Sequence, residues 1–161
     1  MNNEKYIWAA LRIGLGIIFL WAFIDKLFGL GFSTAADKSW LLGVSPTAGF
    51  LTAGVHGPFA SLYHAMAGSV VVDWMFMLGL MLIGLTLILG IGVRVASYCG
   101  VLLMILMWTA LLPPKNHPFL DEHIIYLIAL LGVAHVRAGR WCGLGRYWER
   151  LSVVKKHKWL I

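Results

Sequence analysis

Cysteine and charge are what this chain has least of, and each shortage closes off a class of protein. Two cysteines, Cys99 and Cys142, occur in 161 residues with no C-x-x-C between them, so neither a disulfide framework nor a self-contained dithiol relay is indicated. Charged residues make up only 12% of the chain, too few to coat a small soluble domain that is 60% hydrophobic. The histidines His56, His64 and His117 show no metal-ligand spacing, and no haem or flavin motif occurs, so no metal centre is expected. A formal net charge of +6 would suggest nucleic acid in a soluble protein. Here the basic residues gather toward one end, which has a topological explanation, and no nucleic-acid binding is read.

What is present is apolar: 18 glycines, 8 tryptophans and a mean hydropathy of +0.82. The solvent this composition calls for is a lipid bilayer. The expected fold is all-α, a four-helix transmembrane bundle with an interfacial helical lid between helices one and two. The spans are read at 6–30, 70–92, 95–112 and 119–136, each an apolar run able to cross a ~30 Å hydrocarbon core at ~1.5 Å per residue. The first run is too long for a signal-peptide core. Although Ser33-Thr34-Ala35-Ala36 faintly resembles a cleavage site, an uncleaved first helix is expected.

Residues 32–69 are interrupted by Gly and Pro yet remain apolar, as a membrane-surface lid would be. Ser45-Pro46 and Gly57-Pro58 each open a short helix there, because Pro suits the first helical position. Gly90 to Arg94 joins spans two and three as a tight antiparallel hairpin, and Ala96 with Gly100 gives a small-xxx-small spacing for close helix approach. Pro113 and Pro114 stop the third span, and Pro118 is expected in the first turn of the fourth. Residues 137–161 read as a basic tail studded with Trp141, Trp148 and Trp159, an interfacial anchor.

Orientation follows from the cations. With both termini cytoplasmic, that side carries Lys5, Arg12, Arg94, Arg137, Arg140, Arg146, Arg150, Lys155, Lys156 and Lys158, against Lys26, Lys38 and Lys115 outside. An integral protein of the cytoplasmic membrane is therefore expected, with 32–69 and the 113–123 turn on the outer face.

Four spans in this order bring Asp25 and Lys26, Asp73, His64, and the turn residues Lys115, His117, Asp121, Glu122 and His123 to that face. Ionisable groups at membrane depth are costly and often mark a proton or ligand path. Lys26 either pairs with Asp25 or Asp73 or holds an anion or polarises a carbonyl. Asp121 and Glu122 either cap a helix, where carboxylates are favoured, or carry protons. His123 shares a face with Tyr126 one turn on, a candidate proton relay. Arg12 lies far down the first helix from Lys26 and belongs to another site or snorkels inward.

The block from Leu11-Arg12-Ile13-Gly14-Leu15-Gly16 into Phe19-Leu20-Trp21-Ala22-Phe23-Ile24-Asp25-Lys26-Leu27-Phe28-Gly29, with Trp74 to Val93 and Pro113 to Tyr126, resembles the DoxX family, specifically its DoxD branch. The resemblance runs to about Val136. It implies the membrane subunit of a thiosulfate:quinone oxidoreductase, which joins two thiosulfates into tetrathionate and passes electrons to the quinone pool. Quinone is then the co-substrate, and the partners are a second, DoxA-type subunit or a soluble redox protein. On this reading Lys26, Asp121, Glu122 and His123 are catalytic, while Asp25, Asp73, His64, Lys115, His117 and Tyr126 bind substrate or quinone. Two rival readings stand beside it: a non-catalytic scaffold that docks a redox partner, and a small-molecule carrier. The oligomeric state is left open, a homo-oligomer included.

Overall fold

The structure is a computed structural model that describes residues 3–161, the side chain of Lys158 excepted; among them it is all-helical, without strands. Helix α1 runs Glu4–Phe28, with Glu4 in its first turn and Lys26 in its last, each matched to the helix dipole. Gly29 ends it at φ 66° and donates its N–H to Asp25 O, a left-handed closure that glycine enters without strain.

The connection to the next long helix holds two 3-10 turns, Ala36–Lys38 and Trp40–Leu42, a π-helical turn Phe50–Gly54, and the short helix α2, Ala60–Met66. Of the two short helices expected here, the one after Gly57-Pro58 forms as α2. The one after Ser45-Pro46 is underwound into the wider π turn, although the Ser45 hydroxyl does accept the Ala48 N–H at 3.0 Å. This connection does not stand free. The Tyr63 hydroxyl bonds Leu106 O at 2.9 Å and Thr109 Oγ1 at 2.7 Å, and His56 N–H donates to Ala110 O at 3.2 Å. Leu51, Val55, Tyr63 and Ala110 bury one another in a small second core at that point.

Helices α3 (Val70–Leu89) and α4 (Val93–Ala110) form the expected hairpin around Gly90 and Gly92, both with positive φ. With α1 they are the three helices long and apolar enough to cross a membrane. Helix α5 differs from expectation. It runs Glu122–His135, 14 residues, where 119–136 was expected. Its start is delayed because the His117 ring nitrogen takes the N–H groups of Phe119 and Leu120, and Asp121 then caps the helix. Pro118 consequently lies outside the helix instead of in its first turn.

Glycines set the helix crossings. A methyl on Gly16 would meet the Ile88 N at 2.9 Å and Gly84 O at 3.0 Å, and one on Gly84 would meet the Leu20 N at 2.7 Å. Positions advancing along α1 thus meet positions receding along α3, so the two are antiparallel and nearly in backbone contact. The expected small-residue face of α4 is used on α5, where Gly100 receives Leu130. Trp8 against Gly132 sets α5 antiparallel to α1. The interior is Leu15, Phe19, Leu80, Ile83, Leu87, Met104, Leu130 and Val133. Outward lie Ile17, Ile18, Val71, Met75, Leu82, Leu102, Ile125 and Ile128, a belt of exposed apolar side chains that suits lipid and not water.

Residues 137–161 are no loose tail. They fold as a 3-10 turn at Ala138–Arg140, helices α6 (Gly145–Trp148) and α7 (Ser152–Lys156) and a last turn at Lys158–Leu160, with Ala138, Gly139, Gly145 and Val154 buried.

Candidate functional site

The antiparallel arrangement places the C-terminal ends of α1 and α4 and the N-terminal ends of α3 and α5 together. This end carries all the residues expected to form the site. They resolve into separate small constellations with different jobs.

Asp25, 1% exposed, accepts from Phe32 N at 3.2 Å, Ser33 N at 2.9 Å and the Ser33 hydroxyl at 2.6 Å. Both its oxygens are therefore engaged in folding the chain back after Gly29. Asp73, also buried, accepts at one oxygen from the Ser45 hydroxyl at 2.8 Å and the Thr47 hydroxyl at 2.5 Å, tying the 40–50 segment to the start of α3. Trp40 packs edge-on against Trp74 at 4.7 Å beside it. Buried carboxylates with these partners hold loops by charge-assisted bonds.

Lys26 makes no ion pair with Asp25 or Asp73. The residue is partly buried, and its ammonium reaches the Ser33 hydroxyl at 3.4 Å, a weak contact that links it to Asp25 through that hydroxyl while no carboxylate among the described residues lies within 4 Å. His64 and Lys115 are exposed, and the exposed His117 is a turn-former through the two amide bonds already described.

The tightest constellation opens α5. Asp121 Oδ1 accepts His123 N at 3.0 Å and Ile124 N at 3.3 Å, and Asp121 Oδ2 lies 2.8 Å from His123 Nδ1. Of the two readings of Asp121, capping is thus observed directly. The side chains of His123 and Asp121 are only 12% and 11% exposed. A carboxylate on Nδ1 fixes the proton there and leaves Nε2 as the nitrogen that can exchange one. Tyr126, partly buried, follows one turn on and packs against the main core. Glu122 is exposed, and its carboxylate with Asp121 and His123 brings three potential ligand atoms within 4.8 Å of one another, an arrangement able to share a proton or a cation. His56 bridges the same end: its ring nitrogens lie 3.2 Å from Gly54 O and 3.4 Å from Pro113 O.

Arg12 belongs to the opposite end and does not snorkel. It is fully buried, and its guanidinium donates to Leu87 O, to Ile88 O at 3.0 Å, and to Trp141 O and Cys142 O, each at 3.0 Å. It thereby satisfies carbonyls at the end of α3 and holds the segment after α5 against them. Four glycines make room: a methyl on Gly90 or Gly143 would stand 3.0 Å from the guanidinium, and Gly139 and Gly145 pack backbone to backbone with Gly90. Sequence reasoning missed this knot. The signal available was the glycine density at Gly90, Gly92, Gly139, Gly143 and Gly145. Cys99 and Cys142 are both exposed and unpaired with each other.

Fold and outer belt together define an all-helical protein suited to a lipid bilayer. Comparison with protein-family models, with curated proteins and with solved structures gives no match to this chain.

Proposed function

We propose that the chain is the membrane subunit of a quinone-linked oxidoreductase of the DoxD type. In this reading α1, α3, α4 and α5 form a four-helix bundle in the cytoplasmic membrane, with both termini cytoplasmic. Phe119 and Leu120 extend the apolar reach of the short α5, and residues 32–69 are an outer lid. The observation that carries the reading is the Asp121–His123 pair at 2.8 Å, sheltered at the mouth of an apolar bundle. A histidine oriented by a carboxylate is suited to delivering a proton to a quinone oxygen. Tyr126, on the same helix, continues that path inward.

Lys26 supplies the cation. It is at the same end and, among the described residues, has no carboxylate within 4 Å, its link to Asp25 passing through the Ser33 hydroxyl; in this reading it turns its charge to a small reduced sulfur anion or to a quinone carbonyl. The net reaction takes two thiosulfates, one quinone and two protons to tetrathionate and quinol. One S–S bond forms, and the two electrons released reduce the quinone. Asp25 and Asp73 act by holding the loops that close over this mouth. The carrier alternative rests on charges at both ends, Arg12 on one side and Lys26 and Asp73 on the other; four carbonyl bonds engage Arg12 and two hydroxyls engage Asp73, which favours structural roles for both.

The test is quinone retention. Protein purified from quinone-containing membranes and extracted should yield quinone in near-stoichiometric amount, and His123→Ala should lose most of it with helix content unchanged. Absence of quinone from the wild type, or equal retention in the variant, counts against the reading and favours a scaffold.

A further inference from the structure

A concave feature lies at the Arg12 end, away from the site just described. It is a cleft of about 500 Å³ lined by Val136, Arg140, Trp141, Arg146, Glu149 and Arg150. Three guanidinium groups and one carboxylate give it a formal charge of +2. That carboxylate is already committed. Glu149 Oε1 takes Arg140 Nε–H and Oε2 takes Arg140 Nη2–H, each at 2.7 Å, a bidentate pair that fixes the Arg140 guanidinium while its Nη1 has no protein partner among the described residues. The hydrogen bond to Glu149 also raises the Arg140 pKa above its ordinary value, so this cation persists at all physiological pH. Arg150 lies over the Tyr147 ring at 5.7 Å, which restricts it on one side.

The backbone beneath the cleft is rigid for a reason separate from its charge. Arg12 holds Trp141 O and Cys142 O, Leu144 N–H donates to Leu89 O at 2.8 Å, and Gly139 and Gly145 are locked against Gly90. The arginines therefore project from a preorganised base, which lowers the ordering cost of binding. Planar guanidinium forks match the oxygens of a phosphate group, and the indole of Trp141 and the side chain of Val136 supply an apolar wall beside them.

We propose that this cleft is a binding site for a phosphate-bearing anion, either the headgroup of an acidic phospholipid or a free phosphate compound. Its volume exceeds that of a lone phosphate and accommodates the carbon atoms attached to one. The basic bias expected of a cytoplasmic face would scatter its charges over the surface; here three arginines share one concavity.

The experiment uses the full chain in phosphatidylcholine nanodiscs. One arm titrates inorganic phosphate by calorimetry; the other adds phosphatidylglycerol and counts retained lipids by native mass spectrometry. Wild-type protein is expected to bind in at least one arm, and which arm responds identifies the source. Arg146→Gln with Arg150→Gln should weaken that binding about tenfold or more, whereas Lys155→Gln with Lys156→Gln, on exposed α7 outside the cleft, should change it less than about twofold. Arg146→Lys keeps the charge, loses the fork, and should weaken binding about threefold. Binding in neither arm overturns the proposal, as does equal loss from the arginine and lysine pairs, which would mean diffuse surface attraction.

Discussion

Replacing Arg12 by methionine tests a side chain that makes four hydrogen bonds to backbone carbonyls. The substitution keeps an unbranched, helix-compatible chain of similar reach and removes the guanidinium, leaving the carbonyls of Leu87, Ile88, Trp141 and Cys142 without their donor. Hydrogen bonds from a charged donor contribute about 1.5–3 kcal/mol each, so four give at least about 6 kcal/mol. Against this stands the desolvation of a fully buried cation, several kcal/mol after relaxation, which the variant no longer bears. The balance is a loss of about 3 kcal/mol, with a further cost because carbonyls buried beside Gly90 and Gly143 have little access to water. Reversible unfolding in mixed micelles, followed by the fluorescence of the tryptophans near the knot, measures it. Arg12→Lys should fall between wild type and Arg12→Met, since one ammonium cannot span two carbonyl pairs with a planar fork. Stability of Arg12→Met within about 1 kcal/mol of wild type would refute the reasoning and mean the desolvation term cancels the bonds.

Two further substitutions probe the helix packing and the 40–50 segment. Gly84→Ala should cost about 1–3 kcal/mol, because its methyl would lie 2.7 Å from the Leu20 backbone nitrogen, which cannot move aside without shifting α1 on α3; the same micelle unfolding experiment checks it. Asp73→Ala should leave the Ser45 and Thr47 hydroxyls without their shared acceptor and cost about 1–3 kcal/mol. It should also make residues 40–50 cleavable by protease several times faster than in wild type.

How much of this was legible in the sequence depends on the range of the interactions. Long apolar runs announce α1, α3 and α4, because length and hydropathy are local properties; Gly29 closes α1 and Gly90 closes α3 by local geometry, while α4 reaches its C-cap Leu111 just ahead of Pro113 and Pro114. The start of α5 was misplaced for an equally physical reason. Apolar Phe119 and Leu120 read as helix, but the His117 ring takes their amide hydrogens and Asp121 supplies the cap, a competition that hydropathy does not register. That Lys26 and Asp121 to His123 lie at the same end of the long helices followed from helix order alone. The loop-holding roles of Asp25 and Asp73 did not, since their partners Ser33, Ser45 and Thr47 are ordinary loop residues. The Arg12 knot was least legible, because its acceptors lie 75 to 130 positions away. Only the glycines that admit the guanidinium hinted at a close backbone approach.

The most direct measurement is turnover. Purified protein in liposomes, given thiosulfate and a soluble quinone, is expected to form quinol and tetrathionate in equal amounts, and Lys26→Ala is expected to lose at least about 90% of that rate while keeping its helix content. Thiosulfate-dependent quinol formation at the wild-type rate in Lys26→Ala, or none in folded wild-type protein supplemented with its co-purifying partners, would contradict the assignment of this end of the bundle as the site of chemistry.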